Sequence, residues 1–183
     1  MNDNLRSMNV DIFQATNYLI SLFYRTENRY STSRIKISKL MSIVAFIYAR
    51  WGIKLFQEDI FRYDNCGTII PKLNRLPKDI CSMNFNNDTK KYISDDLFVD
   101  YEMPAGYSIF KDVPEDVKLV IEDVFRHFGA YSQVDLGDCL NKIVYLEGFV
   151  DSDDIIILEE LKDLEMYNFK NDENMDIINY LIK

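Results

Sequence analysis

The stretch between Thr32 and Gly52 constrains the fold more than any other part of the sequence. Thr32 or Ser33 can cap a helix at its start, and Gly52 follows the last apolar residue. Apolar residues recur at spacings of three and four along the whole segment: Ile37, Leu40, Met41, Val44, Ile47, Tyr48 and Trp51. A stripe this broad is typical of a helix that other elements cover on most sides. The pattern therefore predicts a central, mostly buried helix.

Three cations, Arg34, Lys36 and Lys39, occupy the first turns of this predicted helix. A cation near a helix N-terminus opposes the helix dipole, so these positions carry a small cost in free energy. We therefore expect either a partner acid or a solvated basic face beside them.

Helices are predicted on both sides of the central segment. The first covers residues 9–25, with Asn9 or Asp11 as its cap. Another runs from Pro114 to Gly129, and a third begins at a capping box formed by Ser132 and Asp135. Between them, residues 53–70 hold short β-prone runs around a turn at Asp64–Gly67, followed by a short helical link that Pro71 and Pro77 bracket.

The remaining segments are acidic. Residues 79–112 are rich in Asn and Asp and are predicted to be irregular, with a hairpin favoured near Leu97–Val99. The end of the chain is predicted to form two helices with the apolar residues Ile155, Leu158, Leu161 and Leu164, then Met175, Ile178, Leu181 and Ile182. The predicted fold class is mainly α (α+β). A helical core domain, residues 1–148, carries a small β element near 53–70. An acidic helical extension, residues 149–183, packs on the core or in a dimer interface.

Charge is divided unevenly along the chain. Residues 1–54 hold eight Lys and Arg against three acids, whereas residues 55–183 hold 13 basic and 27 acidic side chains. A surface of one sign favours partners of the other sign, so the acidic part predicts a basic partner. Many basic proteins handle nucleic acid, but direct nucleic-acid binding by this chain is not expected, because its acidic surplus would repel a duplex.

Few residue patterns point to catalysis. His127 is the one histidine, so no multi-histidine metal site can form, and Cys66, Cys81 and Cys139 lack the spacing of a zinc site or a disulfide framework. The adjacent acids Asp95–Asp96, Asp153–Asp154 and Glu159–Glu160 fit solvated faces better than paired catalytic carboxylates. We expect no enzyme activity, no metal and no cofactor.

The chain also lacks an apolar run long enough for a signal peptide or a membrane span, since the longest is near Ile43–Ala49. We therefore expect a cytoplasmic protein with no membrane contact.

Charge and aromatic character indicate the candidate contact residues, because Tyr, Trp and Arg dominate interface energetics. The partner-binding candidates are Arg25, Arg29, Tyr30 and Arg34 in the basic turn, and Tyr92, Asp95, Asp96, Asp100 and Tyr101 in the acidic stretch. The candidates for a homodimer interface are Leu158, Leu161, Ile178 and Leu181.

Several segments resemble the Panacea domain, a family of SocA-like antitoxins, over residues 10–145. Ala15, Tyr18 or Leu19, Lys36, Lys39 and Leu40 match its first two helices in outline. Residues 67–71, Gly-Thr-Ile-Ile-Pro, stand where the family has Gly-Pro-Val-x-Pro, and residues 124–129 with Ser132 and Leu136 resemble a later helix pair. The resemblance implies an antitoxin that neutralises a toxin or delivers it to a protease.

In overall length and in the run from Leu5 to Tyr63, the chain also resembles the type II-A anti-CRISPR proteins of streptococcal phages. That resemblance implies a phage-encoded homodimer that binds host Cas9 with its guide RNA in the bacterial cytoplasm. From the sequence, the leading hypothesis is therefore a Cas9 inhibitor that prevents target DNA binding or cleavage, by DNA mimicry or by a conformational effect. The alternative is the Panacea-like antitoxin.

Overall fold

A computed structural model describes residues 6–25, 33–57, 61–64, 67–75, 84–86, 91–94, 97–102, 112–145 and 155–156. Four helices dominate it, α1 (Ile12–Arg25), α2 (Arg34–Arg50), α3 (Glu115–Phe128) and α4 (Gln133–Tyr145), with a 3₁₀ turn at Pro71–Arg75. The strands are β1 (Arg6–Val10), β2 (Ile53–Phe56), β3 (Phe61–Asp64), β4 (Gly67–Ile69), β5 (Asn84–Asn86), β6 (Lys91–Ser94), β7 (Leu97–Glu102) and β8 (Ile155–Ile156). The prediction of a mainly α fold with a small β element is confirmed.

Helix α2 is the centre of the molecule, as predicted. Ser33 is its N-cap, and its hydroxyl accepts a hydrogen bond from the Lys36 amide; Gly52 follows the C-cap with a left-handed φ of 73°. Every residue from Lys36 to Ala49 is buried. Helices α1, α3 and α4 pack around it, together with β2, β4 and the 3₁₀ turn. The wide apolar stripe is therefore enclosed on nearly all sides.

Helix α1 begins later than predicted, because a strand precedes it. The Asp11 carboxylate caps the helix by accepting hydrogen bonds from the amides of Phe13, at 2.8 Å, and Gln14, at 2.9 Å. Asn9 is not the cap; it has a φ of 56° and lies in β1, which pairs in parallel with β2. Local sequence patterns do not predict this strand, because its hydrogen-bonding partner β2 lies beyond both α1 and α2 in the chain.

Helix α3 has the predicted start and end, and helix α4 has the predicted start. Glu115 and Asp116 stand in the first turn of α3, and Gly129 follows its last residue. The Ser132 hydroxyl accepts from the Asp135 amide at 3.1 Å, while the Asp135 carboxylate accepts from the Ser132 amide at 3.2 Å. The capping box with Asp in place of Glu is thereby confirmed.

The β segments confirm the predicted turn at Asp64–Gly67 and the predicted hairpin near Leu97–Val99, and they correct two other predictions. Asp64 and Gly67 are antiparallel partners of β3 and β4, and Ser94 and Leu97 are partners of β6 and β7. Residues 79–112 are not irregular throughout, because β5, β6 and β7 form an antiparallel sheet within them. Ile155, predicted to start a helix, instead pairs with β3 in β8, where β-branched side chains are favoured. The other predicted residues of those terminal helices lie outside the described residues.

Within the described part of the chain, no helix has both the length and the apolar character needed to cross a bilayer.

Candidate partner-binding interface

Of the predicted basic contact residues, Arg34 is the one whose side chain is described. It is the first residue of α2, is half-buried, and its Nη1 donates to the carbonyl oxygen of Asn74 at 2.7 Å. Arg34 therefore links the start of the central helix to the 3₁₀ turn by a hydrogen bond. Arg25 is the last residue of α1, while Arg29 and Tyr30 lie outside the described residues.

The acidic contact candidates are described only through their backbone. Tyr92 in β6 and Tyr101 in β7 are cross-strand partners, and Asp100 precedes Tyr101 in β7. Asp95 and Asp96 lie outside the described residues, as do the dimer candidates Leu158, Leu161, Ile178 and Leu181.

The lysines of α2 do not form the solvated basic face that was one of the two expectations. Lys36 and Lys39 are both buried, with 4% and 2% of their surface exposed. The Lys36 ammonium lies 5.4 Å from the centre of the Phe23 ring, a cation–π distance. Water does not solvate these two lysines, because other elements enclose α2 on almost every side. The periodicity of the sequence does not reveal this enclosure.

Helix α3 presents carboxylates to buried polar groups of its neighbours. The Tyr18 hydroxyl of α1 donates to Glu122 Oε1, and the Tyr48 hydroxyl of α2 donates to Asp116 Oδ2 at 3.4 Å. Both tyrosines are almost fully buried. A buried tyrosine needs an acceptor for its hydroxyl, and these two acids supply one from α3. Burial, and then the negative charge of Asp116, raise the pKa of Tyr48 well above its usual range.

Lys118 adds an internal cation to the same helix. Its side chain is buried, and Nζ donates to Glu115 Oε1 at 2.6 Å while lying 6.0 Å from the Tyr18 ring centre. The Glu115 carboxylate itself is exposed. The polar groups on the inner side of α3 thus hold three of its carboxylates in place.

Leu119 and the four acids around it form one surface of α3, here called the α3 outer face: Glu115, Asp116, Leu119, Glu122 and Asp123. Glu115, Asp116 and Leu119 are exposed, and Glu122 and Asp123 are half-buried. Leu119 keeps 61% of its surface exposed, unlike the buried Val117, Ile121 and Val124 of the same helix. The four acids stand three or four residues from Leu119 on either side, so they are its nearest neighbours on the helix surface.

An exposed aromatic residue lies beyond the same network. Trp51 is 44% exposed, and its ring meets that of Tyr48 edge-on at 5.1 Å. Tyr48 thus contacts both Trp51, through its ring, and Asp116 of the α3 outer face, through its hydroxyl. None of the predicted contact residues belongs to this surface. The sequence signal that could have found it is a leucine with acids at all four of its helical neighbour positions.

The described residues offer little for catalysis. No group of three or more His, Cys, Asp and Glu side chains is placed to hold a metal ion among them. His127 Nδ1 donates to the Asp123 carbonyl oxygen at 2.8 Å, which fixes the ring at the end of α3. Cys139 of α4 is buried in the hydrophobic core.

No family model matches the chain, and no curated protein or solved structure matches it either.

Proposed function

We propose that the chain is an antitoxin-type binding protein, which neutralises a partner protein by forming a stoichiometric complex with it. The observation that carries this proposal is the packing of the segments that resemble the Panacea domain. They are far apart in the sequence, yet they lie in one hydrophobic core: Ala15, Tyr18, Leu19, Leu40, Val124, Phe128 and Leu136.

A specific contact joins two of these segments. The Ile70 amide, within the stretch at residues 67–71, donates to the Ser38 hydroxyl of α2 at 2.7 Å. Both groups are buried, so this hydrogen bond fixes the stretch to the N-terminal half of the central helix. The apolar residues that carry the Panacea resemblance therefore belong to the described hydrophobic core. The anti-CRISPR resemblance has no short motif that could be placed in the same way.

Co-expression tests the antitoxin proposal. The gene that neighbours this one is expressed alone and together with the chain, and growth and co-purification are measured. We expect the neighbour to arrest growth alone, and the chain to restore growth and to elute with its product in one complex. Restored growth that requires a host protease would indicate delivery for degradation instead of neutralisation. A toxic neighbour that the chain neither binds nor neutralises would contradict the proposal.

A second candidate function is inhibition of a host Cas9 by stoichiometric binding. The charge distribution favours it, because residues 55–183 carry 27 acids against 13 basic side chains. Cas9 holds its guide heteroduplex in a positively charged channel and reads the PAM with arginines, so it is a basic partner of the expected kind. The surplus of cations in residues 1–54 favours a conformational effect over pure DNA mimicry.

Light scattering with a streptococcal Cas9–guide complex tests this second candidate. We expect a homodimer alone and a larger complex with Cas9. If target DNA bound beforehand excludes the chain completely, the inhibitor competes for the DNA site and the conformational version is wrong. Absence of any complex would leave the antitoxin proposal as the remaining function.

A further inference from the structure

We infer that the α3 outer face is the docking surface for a basic, amphipathic segment of the partner protein, with an apolar side chain of that segment resting on Leu119. The inference rests on the proposed function, since it takes the partner to be a protein.

The arrangement of the face matches the anatomy of a protein interface. Leu119 is an apolar spot at the middle of a helix surface, and carboxylates adjoin it toward both ends of the helix. Protein interfaces place an apolar contact at the centre and polar groups around it, where they exclude water from the central contact. A segment with one apolar side chain among cations would complement both parts.

The carboxylates of this face are already held in position. Lys118 holds Glu115, Tyr48 contacts Asp116, and Tyr18 holds Glu122 from the core side. Arg126 pairs with Asp123 at 2.8 Å along the helix surface. Because these contacts already restrict the carboxylates, a partner loses less free energy in immobilising them.

The net charge of the α3 outer face determines which kind of partner segment it attracts. Helix α3 carries four acids on this face against two cations that pair with them, Lys118 with Glu115 and Arg126 with Asp123, so an acidic surplus is left. The face therefore attracts a cationic segment and repels nucleic acid and acidic proteins. The exposed Trp51 ring, connected to Asp116 through Tyr48, adds an aromatic surface on which an arginine or lysine can stack.

A matched pair of variants tests the inference. Leu119→Lys places a cation at the centre of the face, and lysine pairs well with acids three or four positions away, so α3 stays folded. Val134→Lys is the control, because Val134 is also an exposed apolar residue, at 66% exposure, but lies on α4. Both variants change the net charge by the same amount. Circular dichroism establishes that each is folded.

The probe is a synthetic amphipathic helical peptide of lysine and leucine, titrated while the fluorescence of Trp51 is recorded. Trp51 is the single tryptophan of the chain, so its emission reports this region alone. We expect the wild type to bind and Leu119→Lys to bind at least about tenfold more weakly. Val134→Lys should stay within about twofold of the wild type. A peptide in which glutamate replaces lysine should not bind.

Two results would overturn the inference: no binding of the basic peptide to the wild type, or equal losses in the two variants. The same pair is then used in the co-purification experiment. If the partner binds the wild type and Leu119→Lys equally well, the docking surface is wrong while the proposed function stands. If no partner protein binds at all, the proposed function fails whatever the peptide does.

Discussion

Because Tyr48 is buried, the free energy of unfolding of the protein depends on pH in the range where tyrosine titrates. Its pKa is raised in the folded protein by burial and by Asp116, so the folded state keeps the phenolic proton after the unfolded chain has lost it. The stability that this provides is fully present below the ordinary tyrosine pKa of about 10. It falls as the pH rises above that value, by up to about 1.4 kcal/mol per pH unit.

Comparison with Tyr48→Phe isolates this effect from the titration of other groups. Near neutral pH we expect the variant to be less stable by about 1 kcal/mol, because it lacks one hydrogen bond to a solvent-exposed carboxylate. Urea unfolding from about pH 8 to about pH 11 should show the difference shrinking and then reversing above the ordinary pKa. A difference that stays constant across this range would contradict the role assigned to the Tyr48 proton.

Gly129 is required by the space around it. A Cβ atom at this position would lie 2.5 Å from the carbonyl oxygen of Phe125 and 3.0 Å from its ring. The Phe125 ring packs edge-on against Phe23 at 4.8 Å, so it cannot move without disturbing the contact between α1 and α3. We expect Gly129→Ala to lower the free energy of unfolding by about 1–3 kcal/mol.

Chemical denaturation measures this change. Ala130→Ser, at the exposed neighbouring position, is the control and should stay within about 0.5 kcal/mol of the wild type. Equal stabilities for Gly129→Ala and the wild type would mean that Phe125 has room to move.

At the scale of elements, the capping box at the start of α4 makes a separate contribution. The Ser132 hydroxyl accepts from the Asp135 amide and donates to the Asp135 carboxylate at 2.8 Å. Ser132→Ala should cost about 1 kcal/mol, because the helix end then lacks a side-chain acceptor. Ser132→Thr keeps the hydroxyl and should retain most of the stability. Thermal unfolding of the two variants measures the difference, and equal melting temperatures would show that the cap is unimportant.

Elements with local signals were predicted well from the sequence. The starts of α2 and α4 follow from Ser33 and from the Ser132–Asp135 pair, which act on amides only a few residues away. Strand β1 has no such signal, because its partner β2 is distant in sequence. Apart from the hairpin near Leu97–Val99, the strands of residues 79–112 have no clear sequence signal, because Asn and Asp, which favour turns, are frequent there.

The candidate surface was harder to predict than the elements. A solvated basic face is one of the two expectations for Lys36 and Lys39, but the packing of three helices around α2 buries both. Leu119 is not among the predicted contact residues, which lie in the basic turn and in the acidic stretch. Its exposure depends on how α3 is rotated against α1 and α2, and that rotation is set by tertiary contacts such as those of Tyr18 and Tyr48.

For the whole molecule, the acidic surplus affects the rate of association more than the lifetime of the complex. Salt screens the attraction between separated charges, and the screening length falls from about 10 Å at 0.1 M to about 3 Å at 1 M. Over that range we expect the association rate constant with a basic partner to fall by about tenfold or more, with a smaller change in dissociation.

Surface plasmon resonance measures both rate constants. Leu119→Ala is the matched variant, because it removes apolar contact without changing charge. It should speed dissociation and leave the salt dependence of association unchanged. An association rate that does not respond to salt would contradict electrostatic attraction as the means of partner selection.

The parallel pairing of β1 with β2 has a consequence for how the protein is made. Arg6 pairs with Ile53 and Val10 with Phe56, so the strand nearest the N-terminus needs residues that lie beyond both α1 and α2. Residues 6–10 leave the ribosome before residues 53–56, so they stay without their hydrogen-bonding partner until synthesis has passed Phe56 and that segment has emerged. During this interval α1 and α2 can form locally, since helices grow faster than distant strands pair. The earliest described residues to be synthesised therefore cannot form their strand pairing until the whole central helix has been synthesised.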